Sequence, residues 1–539
     1  MGKKEYLYKL IEELVKMPSV TESAQESDPA FWLRDRLSKL RYFRETPENL
    51  QLIETPLEGA PQKLYAVLAR VDAATPTKRT VLLISHFDVV DVKSFGDLKE
   101  YAFNPAELKK RLGTENGSEN VMWGRGTMDM KCGLAIELDV IEEFADLRSM
   151  FDVNLVVAFV GDEENSSAGM RGVLPALAAM QAEGLEFLAA INMEPGEAGQ
   201  AGEIGPMIFT GTLGKLLPSF YVRGKAAHVG NCYYGYSAAL AVSHIVSDAE
   251  GASWLADPLH GVSQPSWICL DMHIMKDTYS VTVPDRAFAY FNCFTTTHTP
   301  AKVMDQMQNI ARRALEKTTL QLDESYRLLS KNGYRGGEFV KPPVRVLTLE
   351  QLTAMARVKY QGDFETYIKS YIETIPLGDI RSRGVSLVDK IADMAGEEGP
   401  YVVCFFLPPW LPVRTDISDD PKDKGVMEAV QGVKKAALEG FGVEMREIEL
   451  FAGLCDLSYV GAKASKEDLK ALEHNMPGFG DIYHIPLDEM RQLGMPVLNI
   501  GPSGEDAHKG TERLHLHYSL EILPEILRTA IHELARLVP

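Results

Sequence analysis

The first 200 residues alternate between short apolar runs and amphipathic stretches of helical spacing, and that rhythm permits few folds. LYAVLARVD and TVLLIS read as strands, GLAIELDVIEEFADL as a helix and VNLVVAFVG as a buried strand. GMRGVLPALAAMQAEG then reads as a helix and LEFLAAINM as a further strand. Strands joined by helix-length crossovers pair in parallel, and both faces of such a sheet need a helical cover. The expectation is therefore an α/β fold with a mixed, mostly parallel sheet sandwiched by helices. The opening MGKKEYLYKLIEELVKMPSV predicts an amphipathic helix and lacks a signal-peptide core.

A chain of 539 residues exceeds one ordinary core. The texture changes near residue 206, where MIFTGTLGKLLPSFYVRG reads as a β-hairpin. A helix (SAALAVSHIVSDA), two strands (SWICLDMHIM and TVPDRAFAYFNCF) and a long amphipathic helix (AKVMDQMQNIARRALEKT) follow. That succession predicts a small α+β unit inserted into the first domain. The reading divides the chain into residues 1–205, first part of the main domain; 206–325, the inserted α+β lid; 326–399, a mostly helical insertion without a motif; and 400–539, where YVVCFFLPPWLPV and GMPVLNIGPSG bring the main domain back.

The formal net charge is -20. An acidic surface has no general attraction for nucleic acid or anionic membrane, so neither is an expected partner. No apolar run approaches the roughly 18 residues of a membrane span. Cys132, Cys232, Cys269, Cys293, Cys404 and Cys455 form no CxxC pair and no cluster, which suits reduced thiols in a cytoplasmic protein.

Chemistry-bearing residues recur just after the predicted strands. SHFDVV holds His86 and Asp88, GRGTMDMKCG holds Asp129, GDEENS holds Glu163 and Glu164, and NMEPG holds Glu194. Ligands of open α/β sheets gather beyond the carboxyl ends of strands. Zinc takes imidazole nitrogen and carboxylate oxygen at roughly 2.0–2.2 Å, and a two-metal site needs a bridge as well. Asp129, on a Gly-flanked loop, suits the bridge. In H-x-D an extended backbone puts His86 and Asp88 on one side, so Asp88 can take the other ring N–H of His86. Adjacent Glu163 and Glu164 point apart, so one can bind metal while the other takes a proton from water. His508, in GPSGEDAHKGTER after the strand PVLNI, can close the site from the far end of the chain.

Taken together, these motifs resemble the co-catalytic zinc hydrolases that include acetylornithine deacetylase, succinyl-diaminopimelate desuccinylase, aminoacylase, peptidase T and the glutamate carboxypeptidases. KLIEELVKMPSVT is similar to that family's first helix and loop. The resemblance implies a zinc-peptidase fold and two divalent ions, zinc first, with cobalt or manganese also fitting N/O ligands. It assigns His86 and Glu194 to one ion, Glu164 and His508 to the other, and Asp129 to the bridge. Asp88 would orient His86, and Glu163 would be general base, then general acid. GTLGKLLPSFYVRGKAAHVGNCYYGYSAA resembles the start of the family's lid and dimerisation domain, with His228 where the family places an oxyanion-binding histidine that reaches the partner's site. The implied protein is a homodimeric amidohydrolase acting on a small N-acyl amino acid or peptide. Its length and ending are most similar to the arginine-utilisation branch of the RocB type, which implies arginine or ornithine catabolism.

Two positions depart from the family pattern. Val281 stands where an Asn is usual and Phe294 where an Arg grips the substrate carboxylate, and a Phe cannot supply that fork. Arg286, Lys215 and Lys225 are the possible substitutes. These departures keep open a second class of function, an amino-acid-binding or regulatory protein that retains the fold. Cys132 reads as packing, His515 and His517 as structural, and Asp456 as a structural residue of a G-x-x-D loop. His484 has no partner motif.

Overall fold

The computed structural model describes residues 2–112, 120–196, 206–276, 278–415, 419–451, 453 and 455–538, with the backbone alone at Pro56. It contains two compact units. The first comprises Met1–Leu213, Pro412–Lys463 and Pro486–Pro539; the second comprises Gly214–Leu411 and Ala464–Ile485.

The first unit is built on an eight-stranded sheet. Its spatial order is Leu50–Pro56, Lys63–Val71, Asn154–Val160, Arg79–His86, Glu186–Asn192, Val497–Asn499, Met207–Phe209 and Arg446–Ile448. Pairing is antiparallel at the first two joints and parallel through the centre, so the sheet is mixed and mostly parallel, as the rhythm predicts. All seven residues of Asn154–Val160 are buried, because both faces are covered. Val81, Leu83, Leu155, Val157 and Phe159 share a core with the helices Lys3–Val15, Lys131–Asp146 and Leu523–Leu537. Leu82, Ile84, Val156 and Ala158 are buried on the opposite face, where the helix Ala168–Ala182 packs on the sheet. In Lys3–Val15 the buried positions Leu7, Leu10, Ile11 and Leu14 follow helical spacing. A small antiparallel sheet of Gly504–Glu505, Arg513–His515 and Val121–Trp123 brings the C-terminal segment against the loop that precedes Asp129.

The second unit holds a five-stranded sheet, ordered Val346–Thr348, Tyr401–Leu411, Gly214–Arg223, Arg286–Thr295 and Ile268–Ile274. Helices Ala238–Ala249 and Pro300–Lys331 pack on each other and on this sheet. Three helices, Leu349–Lys359, Phe364–Thr374 and Ile380–Ala395, occupy the stretch without a motif and belong to the same unit.

Two expectations change here. Met207–Phe209 and Gly214–Arg223 form no hairpin: the first joins the large sheet and the second the five-stranded one. The break expected near residue 400 falls after Leu411. Tyr401–Leu411 is an eleven-residue, wholly buried strand paired antiparallel to Gly214–Arg223. A continuous apolar run signals burial on two faces but carries no address for one sheet over another.

Candidate metal centre

Strands Arg79–His86, Asn154–Val160 and Glu186–Asn192 run parallel, so their carboxyl ends lie along one edge. His86 is the last residue of the first, Glu163 and Glu164 follow the second, and Glu194 follows the third. Asp129 sits in the turn that enters Lys131–Asp146, and His508 in the turn between Gly504–Glu505 and Arg513–His515. All seven residues named from the sequence for this centre, Asp88 included, lie in the first unit.

The Nε2 of His86 lies 3.3 Å from Asp129 Oδ1, 3.1 Å from Glu194 Oε1 and 3.9 Å from Glu163 Oε2. The Nε2 of His508 lies 3.0 Å from Asp129 Oδ2 and 3.2 Å from Glu164 Oε1. The two Asp129 oxygens thus face different groups. Two ligand atoms on one tetrahedral zinc ion stand roughly 3.3 Å apart, and the separations here cluster on that value. His86 Nε2, Glu163 Oε1, Glu164 Oε1 and Glu194 Oε1 are buried without an aligned hydrogen-bond partner. Atoms that are close, buried and misaligned for bonding to each other fit convergence on a shared cation. His86, Asp129 and Glu164, and separately His86, Glu163 and Glu194, are close enough to hold an ion.

Asp88 organises the edge from below. Its Oδ1 accepts Glu163 N at 3.2 Å, and its Oδ2 accepts Glu164 N at 3.2 Å and Thr21 Oγ1 at 2.9 Å. The His86 Nδ1 faces the Asp88 carbonyl at 3.0 Å and the Asp88 carboxylate at 3.4 Å. The bond to the carbonyl, with the carboxylate beside it, fixes the ring so that Nε2 points at the carboxylates. Asp162 sits at φ 63°, a left-handed conformation that costs roughly 1–3 kcal/mol. Its side chain accepts Ser166 Oγ at 2.6 Å and Ala168 N at 3.0 Å, which holds the Glu163–Glu164 turn in shape.

The electrostatics show an excess of negative charge. Burial pushes the Glu163 carboxyl well above its ordinary value, and Glu194, Asp456 and Glu164 add to the rise. Burial likewise raises Glu164, and lifts Glu194 to about 8. Burial opposes charge on His86, yet Glu194 and the other carboxylates hold its pKa well above the ordinary range. Hydrogen bonds to Asp129 and Glu164 raise His508 to about 11. For Asp129 burial works upward, but His508 and His86 pull it below the carboxylate range. Raised carboxyls and raised histidines in one buried cluster mark an excess of negative charge. Divalent ions offset it, so this donor set fits them.

The other sequence candidates, Asp456 apart, fall elsewhere. His228 is an exposed residue of the second unit, and its Nδ1 accepts Gly230 N at 3.1 Å. Arg286 is committed: its guanidinium pairs with Asp389 at 2.6 Å and Asp393 at 3.0 Å. Cys132 is buried and packs in the core; burial raises its thiol far above the ordinary range. His515 pairs with Glu505 and Ser503, and His517 with Glu521. Asp456 is buried, its carboxyl pushed up to about 7 by burial, and it belongs to the acidic surroundings of Glu163.

Sequence reasoning missed Arg125 and Glu512, a fully buried ion pair joining the Asp129 loop to the His508 turn. Charged residues four positions before Asp129 and four after His508 were the available signal.

The fold and this acidic, histidine-bearing edge define a metal-dependent hydrolase. The profile of peptidase family M20/M25/M40 matches residues 82–533, and the chain belongs to that family. It is 32% identical to "Uncharacterized protein YqjN" of Bacillus subtilis, over 99% of this chain and 97% of that protein. It is 26% identical to "Protein RocB" of the same organism, over 99% and 95%. Among solved structures, an M20 family metallo-carboxypeptidase from Sulfolobus solfataricus shares the fold, with TM-score 0.54, 14% identity and complete coverage of both chains (100% each).

Proposed function

We propose that this protein hydrolyses an amide bond in a small N-acyl amino acid or peptide, with two divalent ions as cofactors. His86 and Glu194 would hold one, Glu164 and His508 the other, with Asp129 between them. The observation that carries this reading is the division of the Asp129 oxygens between His86 and His508 at ligand-like separations. Zinc suits the two-nitrogen, carboxylate-rich set best, and cobalt or manganese also fits.

When bound, the ions supply Lewis acidity and make water acidic near neutral pH. The rest falls to the chain. Glu163, buried with its Oε2 3.9 Å from His86 Nε2, would in its ionised form take the proton of the attacking water and return it to the leaving nitrogen. Asp88 keeps His86 and the Glu163–Glu164 turn in register. His228 is the proposed oxyanion donor. The bond from Gly230 N to its Nδ1 leaves the proton of the neutral ring on Nε2, the form that can donate.

The proposed assembly is a homodimer joined through the lid, so that His228 serves the partner's site. Ile268–Ile274 is an edge strand with Ile268, Leu270, Met272 and Ile274 exposed along one face, a surface that favours pairing with its symmetry mate. A place in arginine or ornithine catabolism is proposed only from the sequence resemblance to the RocB branch. A cytoplasmic location suits six cysteines without a disulfide.

The test is metal analysis followed by a screen of N-acyl amino acids and dipeptides. Glu163→Gln should bind metal like the wild type and turn over nothing. Failure of the wild type to bind any divalent ion defeats the proposal. One observation favours the second reading, an amino-acid-binding or regulatory protein: Arg286 is already paired, and Phe294 and Val281 cannot grip a carboxylate. Metal binding without hydrolysis across the screen would select it.

A further inference from the structure

Arg125 and Glu512 are separated by 387 positions in sequence and are essentially withdrawn from solvent. Arg125 Nη1 donates to Glu512 Oε2 at 2.6 Å. Its Nη2 donates to the His508 carbonyl at 3.1 Å, the Asp91 carbonyl at 3.2 Å and Ser94 Oγ at 3.0 Å. The other Glu512 oxygen accepts Met128 N at 3.2 Å and lies 3.5 Å from Asp129 N. One buried pair therefore holds the backbone of two metal-site residues from opposite ends of the chain.

The two halves of the centre are not held alike. His86 ends a central strand, its neighbour across the ladder being Val160. The Glu194 carbonyl accepts Asn499 Nδ2 at 3.0 Å, and Gly501 packs so tightly on it that a Cβ there would come within 1.8 Å. These restraints belong to the large sheet. His508 lies outside that sheet, on a turn at φ 65°, with half its side chain exposed. Left-handed backbone at a non-glycine residue persists only where surroundings impose it, and here Arg125 grips that residue's own carbonyl.

We propose that Arg125 and Glu512 are positioning residues that build the His508 side of the metal centre, making the two ion sites unequal: one preformed by the sheet, one conditional on this tether. The inference rests on the ligand assignment proposed above. Removing the pair should weaken the ion between Glu164 and His508 far more than the one between His86 and Glu194, which shares only the braced Asp129. Partners that orient ligands typically set metal affinity by about 10–100-fold.

The experiment titrates Zn2+ into the metal-free full-length protein by calorimetry and repeats it with Co2+ by absorption. Wild type should take two ions per chain. Glu512→Gln and Arg125→Lys should each keep one affinity within about 3-fold and weaken the other by about 10-fold or more, reproducing the pattern of His508→Ala. If a single variant does not fold, Arg125→Met with Glu512→Met removes both charges together, a replacement that buried pairs often tolerate, and the same split is expected. Equal weakening of both sites, or of neither, in a folded variant overturns the inference. A wild type that binds no divalent ion refutes the ligand assignment itself, whereas two ions in wild type with no split in the variants refutes the tether alone.

Discussion

Replacing Asp88 by Asn alters almost no volume, yet the structure makes it a severe change. Asp88 is wholly buried and accepts from Glu163 N on one oxygen, and from Glu164 N and Thr21 Oγ1 on the other. An amide has one acceptor atom and one NH2 group, so one backbone N–H must face a donor. Keeping the oxygen toward Glu163 N also keeps it toward His86 Nδ1, 3.4 Å away. The NH2 then turns to Thr21, whose hydroxyl can accept, and the Glu164 amide is left unpaired. An orphaned buried donor costs about 1–3 kcal/mol, and loss of charge assistance on the remaining bond costs roughly 1 kcal/mol more. The sum, about 2–4 kcal/mol, falls on the Glu163–Glu164 turn. Asp88→Asn should therefore lower the urea midpoint of the first unit and weaken metal binding by about 10-fold or more. Fluorescence-monitored unfolding and zinc calorimetry read the two effects. A variant with wild-type midpoint and wild-type zinc affinity would refute the account of Asp88 as the anchor of this edge.

Asp257, in the second unit, accepts Thr296 N, Thr297 N and His298 N at 2.7, 2.7 and 2.6 Å. Burial raises its pKa, but the Thr297 hydroxyl and these amides lower it further, to a net value below the ordinary one. A depressed acid contributes stability that is complete above its unfolded pKa of about 3.9 and is lost as pH falls through its lower folded value. Thermal melts should show Asp257→Asn destabilised at neutral pH by about 2 kcal/mol, and the gap to wild type should close in acid; a gap that is constant with pH contradicts the linkage. If the proposed homodimer pairs through the edge strand, Leu270→Lys should leave a monomer in analytical ultracentrifugation with little change in thermal stability, because Leu270 is exposed. A dimer that survives the substitution moves the interface elsewhere.

The sequence displayed the metal edge because its residues sit at strand ends, where an apolar run stops and a short polar motif begins. His86, Asp129 and Glu164 stand in tight local motifs, whereas Glu194 and His508 rest more on the family resemblance; helices with clear spacing, such as Lys3–Val15 and Pro300–Lys331, were legible too. Sheet membership was not legible. Tyr401–Leu411 is apolar at nearly every position, and such a run fits the centre of either sheet. Residues 210–213 look like a hairpin turn because Gly211 and its neighbours favour one, yet they carry the chain from one sheet to the other. Arg125 and Glu512 escaped notice for another reason: their value lies in a pairing across the whole chain, and no local pattern marks it.

Glu194 and His508, both assigned to the proposed centre, are 314 positions apart. At ribosomal speeds of about 5–20 residues per second, roughly a quarter of a minute to a full minute separates their synthesis. Throughout that interval the nascent chain presents a crowded array of carboxylates with one histidine and no Glu512 to brace the loop. A centre that needs His508, as proposed, is therefore complete only late in biosynthesis.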